Sequence, residues 1–171
     1  LVDEWVTLKD DSTMMSCIKS ALDKNQLSST INGSSYGGEY ISAINGLAEF
    51  DGGSESGWMG TLNDWFTDAS FSNFTVKDGT LAAGDEIRVM YTKTGYGKDI
   101  GSDWSTQSNT ALAALSFSDG TLSPAFDASV RSYTLTLSAP GSIKVSATAA
   151  NKCNQVYLTA DGTAYRRSAA V

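Results

Sequence analysis

Only one stretch of this sequence repeats its apolar residues at a helical spacing, and that limits what the chain can build. Met14, Cys17, Ile18, Ala21 and Leu22 fall on one face of a single amphipathic helix ending near Asn25. Ahead of them, Asp10, Asp11, Ser12 and Thr13 offer short polar side chains that accept bonds from the free amides of a first turn. No Glu or Gln stands three residues on, so a reciprocal capping box is not expected. Almost everywhere else the apolar residues alternate with polar ones or sit in short runs between turns, the habit of strands.

The expected strands follow in order. Trp5 to Leu8 reads as a short one. Tyr40, Ile41, Ala43 and Ile44 form another, closed by Asn45-Gly46, and Gly57 to Leu62 forms the next. Phe71 and Phe74 flank a further strand. After the turn at Gly84-Asp85, the run from Glu86 to Thr92 sends Ile87, Val89 and Tyr91 one way, and Arg88 and Met90 the other. One helix followed by several strands indicates an α+β module, a helix packed on antiparallel sheet, over residues 1–95.

From Gly95 to Asn109 the chain is rich in Gly, Ser, Thr and Asp, which reads as a loop leading into a linker over 96–111. The texture then changes to pure alternation: Leu115 and Phe117, then Tyr133, Leu135 and Leu137, then Ile143, Val145 and Ala147, then Val156 and Leu158. Turn signals stand at Asp119-Gly120 and Asp161-Gly162. Strands at this spacing indicate an all-β sandwich over 112–171. Five strands fit into that length, so the sandwich is expected to be truncated.

Composition narrows the chemistry. Of 171 residues, 41% are hydrophobic and 18% charged, a balance that suits folded modules rather than a disordered chain. Lys and Arg number 12 against 19 Asp and Glu, for a net charge of -7, and the longest basic run is Arg166-Arg167. That is the wrong sign for nucleic acid or anionic lipid. Histidine is absent, which removes the proton carrier of Ser-His-Asp and Cys-His sites and the commonest zinc ligand. Carboxylate pairs and lysine chemistry remain, but no motif places them, and no catalytic residue, cofactor or metal is expected. No apolar run is long enough to span a membrane, and any targeting segment is expected to have been removed or to lie outside this sequence.

Three stretches carry a resemblance. Residues 36–47 read YGGEYISAINGL, residues 56–62 read SGWMGTL, and residues 84–92 read GDEIRVMYT. In this order, after a strand and a helix, they resemble the transcobalamin-like C-terminal domain family, the DUF4430 type, over about residues 3–95. Residues 112–137, LAALSFSDGTLSPAFDASVRSYTLTL, resemble the bacterial cadherin-like β-sandwich domain. In that stretch Pro124 and Asp127 are expected to bend the chain and Tyr133 to close the corner. Both families are typical of multi-module bacterial proteins outside the cell. The resemblance therefore implies a secreted or surface protein and a non-catalytic binding, adhesion or spacer role. Its partners would be neighbouring extracellular modules, a glycan or a small ligand.

In the transcobalamin-like family this domain helps to cover a corrinoid, and by position Tyr40 and Trp58 are the ligand-facing candidates. The alternative is that both rings belong to core or hairpin. Trp65 and Trp104 stand in polar sequence where a ring can serve as a carbohydrate platform or pack on a neighbouring strand. Asp51, Asp64, Asp68, Asp78 and Asp119 invite a calcium site, but none lies in the alternating acidic pattern of a calcium loop. Cys17 and Cys153 fall in different modules, which favours two buried thiols over a disulfide.

Overall fold

A computed structural model describes residues 2–33, 38–166 and 168–170; Tyr36 and Gly37 of the first motif, Arg167 and Val171 lie outside them. The chain divides into two compact units, residues 1–102 and 103–171. Among the described residues one α-helix is accompanied by short strands in small antiparallel sheets, a β-rich α+β fold.

The first unit is organised by that helix, α1 (Met14–Lys24), whose buried residues are Met14, Met15, Cys17, Ile18 and Leu22. Its start corrects the sequence reading. Thr13 is the N-cap, its Oγ1 accepting from the Ser16 amide at 3.0 Å, while the Thr13 amide donates to Ser16 Oγ at 2.9 Å. A serine hydroxyl at N3 reaches back as a glutamate would, so the capping box is complete. The helix start is also fixed to a later segment: Met14 N–H donates to Phe74 O at 2.9 Å and Val76 N–H to Ser12 O at 3.0 Å.

Two three-stranded sheets complete the unit. One has the order β1 (Ser29–Gly33), β2 (Glu39–Ile44), β3 (Leu47–Ala48). The other places β4 (Gly57–Leu62) between β5 (Trp65–Phe66) and β6 (Ile87–Thr92). Ile41 and Ile44 from β2, Leu62 from β4, and Phe71, Phe74 and Leu81 from the connections join the helix residues in one core. Trp58, Trp65, Ile87 and Val89 pack against it half-buried.

Two further expectations fail. Residues 2–9 form no strand; Val2, Glu4, Val6 and Leu8 are half-buried and the residues between them exposed, so alternation is present without a ladder partner. Phe71 to Asn73 is a 3-10 helix capped by Ser70, whose hydroxyl accepts from the Ser72 amide. Phe71, which opens this helix, and Phe74, its extended C-cap, are both buried, with no strand between them.

In the second unit β7 (Leu112–Phe117) and β13 (Ser168–Ala170) flank β10 (Lys144–Ala149), while β8 (Thr121–Ser123) pairs with β9 (Thr134–Thr136) and β11 (Tyr157–Ala160) with β12 (Thr163–Arg166). Tyr133 closes the corner: its hydroxyl donates to Asp127 O at 2.5 Å and accepts from the Asp127 amide at 3.0 Å. Residues 103–109 are tied to a later loop, with Asn151 Nδ2 donating to Asp103 O at 2.7 Å and Asn154 Nδ2 to Gln107 O at 3.0 Å. Cys17 and Cys153 are both buried. No helix among the described residues is long and apolar enough to cross a membrane.

Candidate functional site

Asn45 and Gly46 both take positive φ, 48° and 82°, which is what a two-residue hairpin of the right twist requires. The turn sets Leu47 against Ile44 and Ala48 against Ala43, so β3 runs back along β2 and opens into the loop 49–56. Polar ends of three aromatic side chains converge on the first residues of that return path. Trp58 Nε1 donates to Leu47 O at 2.9 Å, the Tyr91 hydroxyl donates to Ala48 O at 2.9 Å, and the Tyr40 hydroxyl donates to Glu49 Oε1 at 3.1 Å. Register explains two of these. Trp58 and Tyr91 face each other across β4 and β6, with their rings edge to face, 5.2 Å between centroids and 68° apart.

The Tyr91 hydroxyl is also the hub of the loop that follows. It accepts from the Gly52 amide at 2.9 Å and lies 2.8 Å from Ser56 Oγ, which is buried. Phe50 N–H donates to Ser56 O, and Gly53 N–H donates to Phe50 O, so the loop folds on itself. Asp51 accepts from the Ala48 amide at 2.8 Å, and Glu55 accepts from the Gly95 amide at 3.0 Å. Within this frame Phe50 is held at a φ of 70°, a left-handed conformation that bulky side chains rarely adopt. Phe50 is 62% exposed.

The two sequence candidates therefore lie on one feature. Tyr40 is 38% exposed and Trp58 half-buried, and their polar ends fix residues two apart in the chain. Tyr91 and Phe50 were missed. For Phe50 a signal existed: Glu49-Phe50-Asp51-Gly52-Gly53 sets an aromatic residue inside turn chemistry instead of a strand alternation. For Tyr91 there was none, because a hydroxyl's partners depend on which loop the strand passes.

The remaining candidates are placed elsewhere. Trp65 is half-buried, edge to face with Phe74 at 5.7 Å. Trp104, also half-buried, belongs to the 3-10 helix Trp104–Thr106 of the second unit. The aspartates are used locally: Asp64 pairs with Arg88 at 2.7 Å, Asp78 accepts from the Thr80 hydroxyl and amide, and Asp119 accepts from the Ser138 hydroxyl. Those bonds hold the Asp78 and Asp119 carboxyls below their usual range. No group of three or more His, Cys, Asp and Glu among the described residues is arranged to hold a metal ion. Burial raises both thiols, Cys17 and Cys153, which makes them poor nucleophiles.

Residues 11–93 match the family model of a domain of unknown function, DUF4430. No curated protein and no solved structure matches the chain.

Proposed function

We propose that the chain, whose residues 11–93 match the DUF4430 family model, is a non-catalytic binding or adhesion segment of a secreted or surface protein of a bacterium, and that its contact surface is the segment 47–56, β3 and the loop that follows it. The observation that carries this reading is the division of labour among the aromatics. Tyr40, Trp58 and Tyr91 spend their polar ends on three successive residues, and what that scaffold presents to water is Phe50 on strained backbone. A protein that only needed a closed loop has no use for an exposed phenyl ring at φ 70°; strain of this kind persists where the surroundings impose it, and it favours a contact role. The second unit reads as a cadherin-like sandwich that spaces or positions the first.

The corrinoid alternative uses Tyr40 and Trp58 themselves as the binding surface. Trp58 argues against it, because its N–H already has a partner and one side of its ring packs on Tyr91. Two measurements separate the readings. The chain and its Phe50→Ala variant are applied to an array of bacterial and host surface glycans and extracellular proteins, and both are titrated calorimetrically with cyanocobalamin. Array signals that Phe50→Ala loses, with an unchanged melting temperature and no corrinoid heat, are the expected result. Corrinoid binding that survives Phe50→Ala and disappears in Trp58→Phe overturns the assignment.

A further inference from the structure

Charge is unevenly shared between the two units. Residues 1–102 hold fifteen acidic and seven basic side chains, a net of eight negative charges, while residues 103–171 hold four acidic and five basic ones. Within the first unit part of this imbalance falls on the loop described above. Glu49, Asp51 and Glu55 bracket Phe50 within seven residues that contain no Lys or Arg. Elsewhere in the unit Glu4 pairs with Lys24, and Asp64 and Glu86 pair with Arg88. The three loop carboxylates, like Asp78 and Asp99, are held by neutral donors. For the loop these are the Tyr40 hydroxyl, the Ala48 amide and the Gly95 amide, and none of the three forms an ion pair with a Lys or Arg among the described residues.

Exposed apolar surface gathers at the same place. Six large hydrophobic residues of the described chain are exposed: Trp5, Tyr40, Leu47, Phe50, Tyr96 and Tyr157. Leu47 begins β3, which leads into the loop, Phe50 belongs to the loop, Tyr40 is hydrogen-bonded to it, and Tyr96 follows Gly95, whose amide Glu55 holds. Like Phe50, Tyr96 has a positive φ, 56°. The loop thus combines rings with three carboxylates that form no ion pair with a Lys or Arg among the described residues.

Building on the contact surface proposed above, we infer that its partner is cationic: a Lys- or Arg-bearing segment of another protein, seated with its side chains over Phe50 and between Glu49, Asp51 and Glu55. The charge complementarity is the argument. An aromatic face attracts a guanidinium or ammonium group, and adjacent carboxylates supply the counter-charge and steer the approach. A neutral glycan would use the rings and donate hydroxyl bonds to the carboxylates, but would leave their charge uncompensated. Anionic polymers and anionic lipid surfaces would be repelled. A segment that brings apolar stems as well as charge fits best, since long basic side chains cover apolar surface while their heads stay in water.

The test uses the whole chain and a labelled peptide of alternating Arg and Gly, followed by fluorescence anisotropy at increasing salt. A Gln-Gly peptide of the same length and a neutral glucan oligosaccharide serve as comparisons. Three proteins are compared: wild type, Phe50→Ala, and the double variant Glu49→Gln/Glu55→Gln. The glutamines keep the carbonyl acceptors for Tyr40 and Gly95 and remove only the charge. The expected result is saturable binding of the Arg peptide alone, weakened on the order of tenfold or more by Phe50→Ala and about threefold or more by the double variant, with a salt dependence that the double variant flattens. No Arg-peptide binding, or binding that the double variant leaves intact, overturns the cationic partner. Binding that weakens with the carboxylates but ignores Phe50 also overturns it, since that is unspecific attraction to an acidic protein. Glucan binding that Phe50→Ala abolishes and the double variant does not would leave the contact surface standing and refute only the cation. Indifference of every probe to Phe50→Ala would sink both.

Discussion

Replacing Trp58 by alanine tests whether the ring is scaffold or ligand platform. Complete removal of a buried tryptophan costs about 3–5 kcal/mol. Trp58 is only half-buried, so roughly half of that, about 2 kcal/mol, is the appropriate packing loss. Losing the edge-to-face contact with Tyr91 at 5.2 Å adds about 0.5–1 kcal/mol. The bond from Nε1 to Leu47 O adds about 0.5 kcal/mol, at the low end because Leu47 is 39% exposed and water can take over its carbonyl. Trp58→Ala should therefore lose about 3 kcal/mol, and Trp58→Phe, which keeps most of the packing, about 1 kcal/mol. The assay is a denaturant melt followed by helical circular dichroism, a signal that among the described residues arises from α1 in the first unit. A midpoint for Trp58→Ala indistinguishable from wild type would refute the scaffold role and return Trp58 to the list of binding residues.

Three other outcomes follow from particular contacts. Gly60→Ala would place a Cβ 2.5 Å from Phe71 Cζ and 2.7 Å from its Cε1, inside a buried ring's space, so it should cost about 1–3 kcal/mol; Phe71→Leu in the same chain should recover part of that, and simple additivity in the double variant would disprove the clash. Thr61 Oγ1 is buried with no hydrogen-bond partner among the described residues, so Thr61→Val should raise stability by about 1 kcal/mol, and a lower melting midpoint would mean that the hydroxyl is satisfied. The Thr92 hydroxyl, then the Lys93 amide and the Thr94 hydroxyl hold Asp99 at about 2, below its ordinary 3.8. A folded value below the unfolded one stabilises above the ordinary value and is lost as pH falls towards about 2. The stability gap between wild type and Asp99→Asn should accordingly close between those two values, and a gap independent of pH there would show that the carboxylate charge is irrelevant.

Much of the first unit was legible because burial is periodic. The stripe from Met14 to Leu22 had one helical solution, and Gly57 to Leu62 and Glu86 to Thr92 had strand solutions, which the structure pairs in register from Gly57–Thr92 to Leu62–Ile87. Elements whose pattern is too short to repeat were missed. Leu47–Ala48 and Trp65–Phe66 are two residues each, and Ser29–Gly33 carries a single half-buried apolar residue, Ile31, so only their neighbours make them strands. The converse error arose at Trp5 to Leu8, where the alternation is real but no strand stands alongside to receive the bonds.

The candidate site was half legible for a related reason. A ring in a strand announces itself, and Tyr40, Trp58 and Tyr91 all stand in β2, β4 and β6. What such a ring does is decided by its polar end, several ångströms from its own backbone, and that end meets whatever a different part of the chain brings there. Here the same short segment, Leu47–Glu49, meets all three, so residues that suggest a ligand platform in the sequence become the walls that hold a loop. The consequence runs forward to Phe50. Since its backbone conformation is disfavoured, the loop would relax if the walls were loosened, and Tyr91→Phe, which deletes the bonds to Ala48 O and Gly52 N–H but keeps the ring, is the mildest way to loosen them. If the strain serves binding, Tyr91→Phe should weaken Arg-peptide affinity through Phe50 by more than its small loss of stability explains, and combining it with Phe50→Ala should add nothing further. Full additivity of the two substitutions in affinity would show that the tyrosine does not act through the phenylalanine.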